Sequence, residues 1–155
     1  MDAYKKEGIN HWGITIQNEP WAGQSWPSMG FSAEAERDFL KMDLGPELEK
    51  NGYGPDKFII MSFDHNVGIA HYYFDPIYGD PWASKYCQGM ALHWYGHDPK
   101  EMLDSWYKKY PNKFLLGTEA CVEGGVKLGD WKVADMYMSD IIDVSLIEAL
   151  NITIQ

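Results

Sequence analysis

The sequence predicts an α/β fold of about four strand–helix units with parallel strands, part of an eight-fold (β/α)8, or TIM, barrel. Three observations predict it. Short apolar runs alternate with segments of helical spacing in the order β-α-β-α-β-α-β-α, which implies parallel strands joined by right-handed crossovers. Two of those runs, Gly13-Ile14-Thr15-Ile16-Gln17-Asn18-Glu19-Pro20 and Phe114-Leu115-Leu116-Gly117-Thr118-Glu119-Ala120-Cys121, carry a glutamate at their ends. The carboxyl ends of barrel strands form the rim where substrates bind. The chain has 155 residues, whereas a complete barrel needs roughly 250, so about half a barrel is the most it supplies.

The elements follow in order. Residues 2–7 read as the end of a helix, with Gly8 as its stop. Trp12 to Gln17 is the first strand, ended by Asn18-Glu19-Pro20 because Pro20 removes a backbone donor. In the loop from Trp21 to Gly30, Trp21 and Trp26 either wall a substrate or pack the loop down. Ser32 is an N-cap, and Glu34 and Glu36 lie in the first turn, where the helix dipole favours them. Ala35, Phe39, Leu40, Met42 and Leu44 mark the apolar face. Gly45-Pro46 should kink or split this helix, and Asn51-Gly52-Tyr53-Gly54-Pro55 stops it. Lys57 to Phe63 is the second strand, followed by Asp64-His65-Asn66. Residues 66–80 are expected to be a long loop with one helical turn, and Pro81 to Tyr86 a short helix. Gln88 to Trp94 is the third strand, with Tyr95 at its end. Asp98-Pro99-Lys100-Glu101 opens a helix carrying Leu103, Trp106, Tyr107 and Tyr110, which Pro111-Asn112 ends. Lys113 to Thr118 is the fourth strand, ending in Glu119. After a loop through Glu123-Gly124-Gly125, the spacing of Trp131, Ala134, Met138, Ile141 and Ile142 predicts a last helix.

Composition narrows the function classes. A hydrophobic content of 45% argues against disorder. Aromatics are 15%, with seven Trp and ten Tyr, which suits either a sugar-binding cleft or an aromatic-rich core. A formal charge of −10 disfavours a nucleic-acid partner, which needs clustered Lys and Arg. It is compatible with an acidic compartment without demonstrating one. Cys87 and Cys121 form no CxxC motif and are expected as free thiols. Met1 to Glu7 lacks the apolar core of a signal peptide, and no run is long enough to span a membrane. Asn151-Ile152-Thr153 fits a glycosylation sequon. His65, His71 and His97 lack metal-ligand spacing and there is no HExxH, so neither metal nor other cofactor is expected. Taken singly, the other motifs have plain structural readings: Asn-Glu-Pro is a strand-ending turn, and His93 is a satisfied core histidine.

Gln17-Asn18-Glu19-Pro20, the Phe39–Leu48 segment with Asp43-Leu44-Gly45-Pro46, His93-Trp94-Tyr95 and Thr118-Glu119-Ala120-Cys121 resemble, in identity, order and spacing, the glycoside hydrolases of family 30, in particular animal glucosylceramidases. The resemblance runs from about residue 4 to residue 142. Residues 1–142 are therefore expected to be the central part of a glycosidase barrel, and 143–155 an atypical tail. The family has a segment before and a strand plus β-domain after this region, so the chain reads as the middle of a larger enzyme or a truncated product.

The resemblance implies Glu19 as acid/base and Glu119 as nucleophile of a retaining reaction, with carboxyls roughly 5–5.5 Å apart. It implies Asn18 as a donor to the sugar 2-hydroxyl and Tyr95 as the hydroxyl that aims Glu119. His93 would orient neighbours, Trp94 would stack on sugar or fill the core, and Asp64 would reach the cleft. It further implies glucosylceramide or another β-glucoside as substrate, a saposin-like activator, a lipid surface, and a lysosomal or secretory lumen. Two rivals remain: a catalytically inactive fragment, and a carbohydrate-binding or regulatory module derived from the same fold.

Overall fold

In the computed structural model, residues 1–21, 23, 25–96, 100–125 and 127–149 are described, with side chains except at 100, 101 and 143–149. Four parallel strands pair strictly in chain order: β1 (Gly13–Thr15), β2 (Ile59–Asn66), β3 (Gly89–His93) and β4 (Phe114–Glu119). Register runs Gly13↔Ile59, Met61↔Gly89 and Gly89↔Phe114. Helical segments fill every connection between strands, as the α/β reading expects of a partial barrel. β3 is buried along its whole length, as a central parallel strand with both faces covered should be. β1 and the end of β4 are more open, because each has a neighbour on one side alone.

The short α1 (Asp2–Lys6) ends as expected, with Gly8 at φ +81°. α2 (Ala33–Phe39) starts at Ser32, whose Oγ accepts from Ala35 N at 3.2 Å. The expected break at Gly45-Pro46 takes another form. A π-helical turn, Leu40–Leu44, joins α2 to α3 (Gly45–Lys50), and Gly45 N donates to Leu40 O. The π turn divides the helix just ahead of Pro46, which has no N–H to give and lies in the first turn of α3. Gly45 is required there, since a Cβ would lie 2.3 Å from the Tyr86 ring.

Between β2 and β3, the expected loop is largely helical. It contains a 3-10 turn (Val67–Ile69), the single-turn α4 (His71–Tyr73), a π-helical turn (Phe74–Tyr78) and α5 (Pro81–Tyr86). Tyr73, Phe74, Ile77 and Tyr78 are all buried, so tertiary packing outweighs the Gly and Pro signals. Asp80 caps α5 by accepting from Trp82 N and Ala83 N, and Lys41 Nζ reaches the same carboxylate at 2.9 Å. α6 (Lys100–Lys109) follows β3, but its expected start at Asp98 and Pro99 lies outside the described residues. Leu103 and Trp106 of α6 enter the core with Phe74, Tyr78, Met90 and Leu115. α7 (Trp131–Ala149) runs past residue 142. Its Trp131, Met136, Met138, Ile141 and Ile142 are exposed, and residues of α7, β4 and α6 line a cavity of about 1030 Å³. No helix among the described residues is long and apolar enough to cross a membrane.

Candidate active site

The carboxyl ends of all four strands meet at Asp64, and two interruptions of regular pairing bring this about. Between Phe63 and His65 the register of β2 on β3 shifts, and between Leu92 and His93 that of β3 on β4 shifts, leaving Asp64 and Thr118 as the extra residues. A bulge turns its extra side chain away from strict alternation. Thr118 Oγ1 donates to Asp64 Oδ1 at 2.7 Å, and Thr15 Oγ1 on β1 donates to Oδ2 at 2.7 Å. His93 Nε2 on β3 lies 3.3 Å from Oδ1. Burial pushes the Asp64 carboxyl up, but the hydrogen bonds from His93, Thr118 and Thr15 outweigh it and hold the pKa below the ordinary value.

The backbone around this hub is strained. Glu19 (φ +48°), Phe63 (φ +75°) and Asp64 (φ +54°) are the non-glycine residues with positive φ among those described. Such conformations cost about 1–3 kcal/mol each and concentrate at functional sites. Two hydrogen bonds hold them in place. Glu19 N donates to Asp64 O at 2.9 Å, and Phe63 N donates to Glu36 Oε1 at 2.8 Å. Glu36, in the first turn of α2 as expected, is fully buried. Burial, together with the nearby Asp64 charge and against the Phe63 hydrogen bond, raises its pKa to about 8.

His93, 1% exposed, stands between the two glutamates. Its Nδ1 lies 3.7 Å from Glu19 Oε1 and 3.8 Å from Glu119 Oε1. The two carboxylate oxygens are therefore no farther apart than the sum of those two arms, a span that one sugar ring can bridge. Burial lowers the His93 pKa, but the Asp64 hydrogen bond and the charges of Glu119, Asp64 and Glu19 together raise it above the ordinary value. Tyr95 hydroxyl donates to Glu119 Oε1 at 3.2 Å. Burial first, then its contacts with Cys121 and Glu119, raises the Tyr95 pKa, so it stays a donor.

The remaining candidates are spread around this centre. Asn18 is exposed on the rim beside Glu19. Trp94 N bonds Glu119 O at 3.1 Å, while its ring packs on Tyr137 of α7 at 4.9 Å between centroids. Asp64 sits beneath the rim as a buried anchor rather than at an open cleft. Cys87 is buried and Cys121 exposed, both free thiols. Trp21 leans edge-on against Tyr72.

Four participants escaped the sequence reading: Thr15, Glu36, His65 and Thr118. The two threonines flank the glutamate-bearing strand ends, which was the available signal. His65 follows Asp64 directly, but its spacing along the chain says nothing about neighbours on adjacent strands. In space, Glu19, His65 and His93 each offer a ligand-type atom within 4.8 Å of the others. The absence of metal-ligand spacing in sequence thus does not carry over to three dimensions.

This arrangement places two carboxylates, one oriented imidazole and one phenol on a barrel rim. The family model of the Glycosyl hydrolase family 30 TIM-barrel domain matches residues 1–151. The chain belongs to glycosyl hydrolase family 30. This family 30 chain is 41% identical over 152 residues to putative glucosylceramidase 3 of Caenorhabditis elegans, and the match covers 92% of the chain and 29% of that relative. It is 34% identical over 154 residues to the lysosomal acid glucosylceramidase of Mus musculus, again covering 92% of the chain and 29% of the relative. Among solved structures, SrfJ from Salmonella typhimurium superposes with a TM-score of 0.83 at 30% identity, over 91% of the chain and 32% of SrfJ. The family 30 chain thus spans less than a third of the length of these curated relatives.

Proposed function

We propose that this chain carries the catalytic pair of a retaining β-glycosidase acting on glucosylceramide or a related β-glucoside, with Glu19 as acid/base and Glu119 as nucleophile. The observation that supports this is the shared imidazole: both carboxylates lie within 4 Å of His93 Nδ1, Glu19 in the turn after β1 and Glu119 at the end of β4. In the first step Glu119 attacks the anomeric carbon while Glu19 gives its proton to the leaving oxygen. In the second, Glu19 takes a proton from water, which releases the sugar from Glu119. Tyr95 aims the Glu119 carboxylate, Asn18 meets the sugar 2-hydroxyl, and His93, fixed by Asp64, adjusts the field between the two acids. Trp94, whose ring packs on Tyr137, borders the same cleft as Glu119. The relative named lysosomal acid glucosylceramidase supports a lysosomal setting; a lipid surface and a saposin-like activator are part of the proposal by family resemblance alone.

A 2-deoxy-2-fluoro-β-glucoside with a good leaving group tests this reading. Mass spectrometry should find one glycosyl unit on Glu119, and Glu119→Gln should abolish it. Label on any other residue refutes the assignment.

A second reading is favoured by the open edges of β1 and β4 and the exposed apolar face of α7. On it, the 155 residues alone are a poorly active or inactive fragment, or a sugar-binding module without turnover. Binding of a β-glucoside without labelling supports the module. Aggregation with neither supports the fragment.

A further inference from the structure

We propose that Glu19, His65 and His93 form a binding site for a divalent transition metal of the zinc class. The three side chains come from three different strand ends and each presents a ligand-type atom within 4.8 Å of the others. A tetrahedral ion with bonds of about 2.0–2.2 Å holds its ligands closer than this. Binding would draw the Glu19 carboxylate and the two rings inward to close the gap.

Three features go beyond mere proximity. Both rings are buried, His65 to 6% and His93 to 1% exposure, and Nδ1 of each has no hydrogen-bond partner among the described residues. Buried imidazole nitrogens are normally paired, so two orphans in one cluster mark a place built for something else. The second feature is the support behind His93. Its Nε2 rests on Asp64, which Thr15 and Thr118 fix in turn. A carboxylate behind the far nitrogen is the arrangement that fixes the tautomer and orientation of metal-binding histidines. The third is charge. With the proton on Nε2, the Nδ1 lone pair faces Glu19 and Glu119 at 3.7 and 3.8 Å. A lone pair between two carboxylates is repelled unless a cation sits there. A proton on His93 is one such cation, and a metal ion competes with it.

Two imidazoles and one carboxylate select Zn²⁺, Co²⁺, Ni²⁺ or Cu²⁺ over Ca²⁺ and Mg²⁺, which prefer all-oxygen sites. The consequence for catalysis rests on the hydrolase reading above: a Glu19 oxygen bound to metal holds no proton for a leaving group, so the ion inhibits. Binding itself does not depend on that reading.

Titration of the full chain with Co²⁺, read by its visible d–d absorption, tests the site without using turnover. One Co²⁺ per chain should bind, and Zn²⁺ should displace it. Asp64→Asn should weaken binding by about 10–100-fold, as loss of an outer partner does. Glu19→Gln and His65→Ala should weaken it at least as much, and His71→Ala, an exposed histidine away from the cluster, should leave it unchanged. His65→Ala removes a buried ring and can unfold the sheet. Glu19→Gln keeps the side-chain shape and carries the test alone. Absence of d–d bands at millimolar Co²⁺, or equal Co²⁺ binding by Glu19→Gln, overturns the proposal.

Discussion

Asp64 and Thr118, the extra residues of two neighbouring strand irregularities, are hydrogen bonded to each other at 2.7 Å. Each irregularity alone would merely disrupt a ladder. Together they put a carboxylate and a hydroxyl on the same side of the sheet, under the rim that carries Glu19, His93 and Glu119. Asp64→Asn exchanges one of its acceptor oxygens for a donor facing hydroxyl and imidazole groups. We expect it to lower stability by about 1–3 kcal/mol, because buried partners are left unsatisfied. A urea midpoint equal to that of the unaltered chain would contradict this account of the hub.

Glu36 gives folding a pH dependence of defined sign. Its carboxyl is raised in the folded chain to about 8, from an ordinary 4.5. The groups facing it are Asp64 on β2, Tyr73 on α4, and Tyr78 and Cys87 nearby. A raised acid binds more protons folded than unfolded. Its contribution is therefore fully present below pH 4.5 and is lost as pH rises to about 8, at on the order of 1 kcal/mol per pH unit. Denaturant midpoints should fall between pH 5 and pH 8. In Glu36→Gln, which keeps the acceptor for Phe63 N, that decline should flatten. An unchanged slope in the variant would show that another group is responsible.

Gly45→Ala reverses a common rule. In most helices, Ala at a Gly position stabilises by up to about 1 kcal/mol. Here the new methyl would lie 2.3 Å from Tyr86 Cγ and 2.7 Å from Leu40 O. Overpacking of this kind costs about 1–3 kcal/mol. Thermal unfolding should therefore occur at a lower temperature, and a rise would rule out the tight approach of Tyr86.

Tyr95→Phe removes the hydroxyl that donates to Glu119 Oε1. On the proposed mechanism, the rate of glycosyl labelling at Glu119 should drop about tenfold, matching one lost hydrogen bond to a charged group. The melting temperature should hardly move, since this contact is exposed. Labelling at the original rate would remove Tyr95 from the set that aims the carboxylate.

Much of this architecture could be read from the chain. Glu19 and Glu119 were placed at strand ends because apolar runs stop there, at Pro20 in one case and before a polar loop in the other. The parallel order followed from alternation alone. What escaped was the interior of the connection between β2 and β3 and the interior of the site. Residues 66–80 looked like a loop because Gly and Pro outvoted tyrosines whose rings turn out to be buried. Glu36 was legible as a dipole-favoured first-turn acid, but local helix rules do not register a partner 27 residues away. Asp64 was placed near the cleft, but its three bonds depend on irregular pairing that strict alternation hides.

Strand order along the chain also sets the order in which the site's residues are synthesised. A growing polypeptide that has completed β1, β2 and β3 already holds Glu19, Asp64, His65 and His93. It still lacks Glu119, which β4 carries. Both proposed reaction partners therefore coexist only once synthesis has passed residue 119, and shorter chains on the ribosome carry the proposed acid/base without the proposed nucleophile.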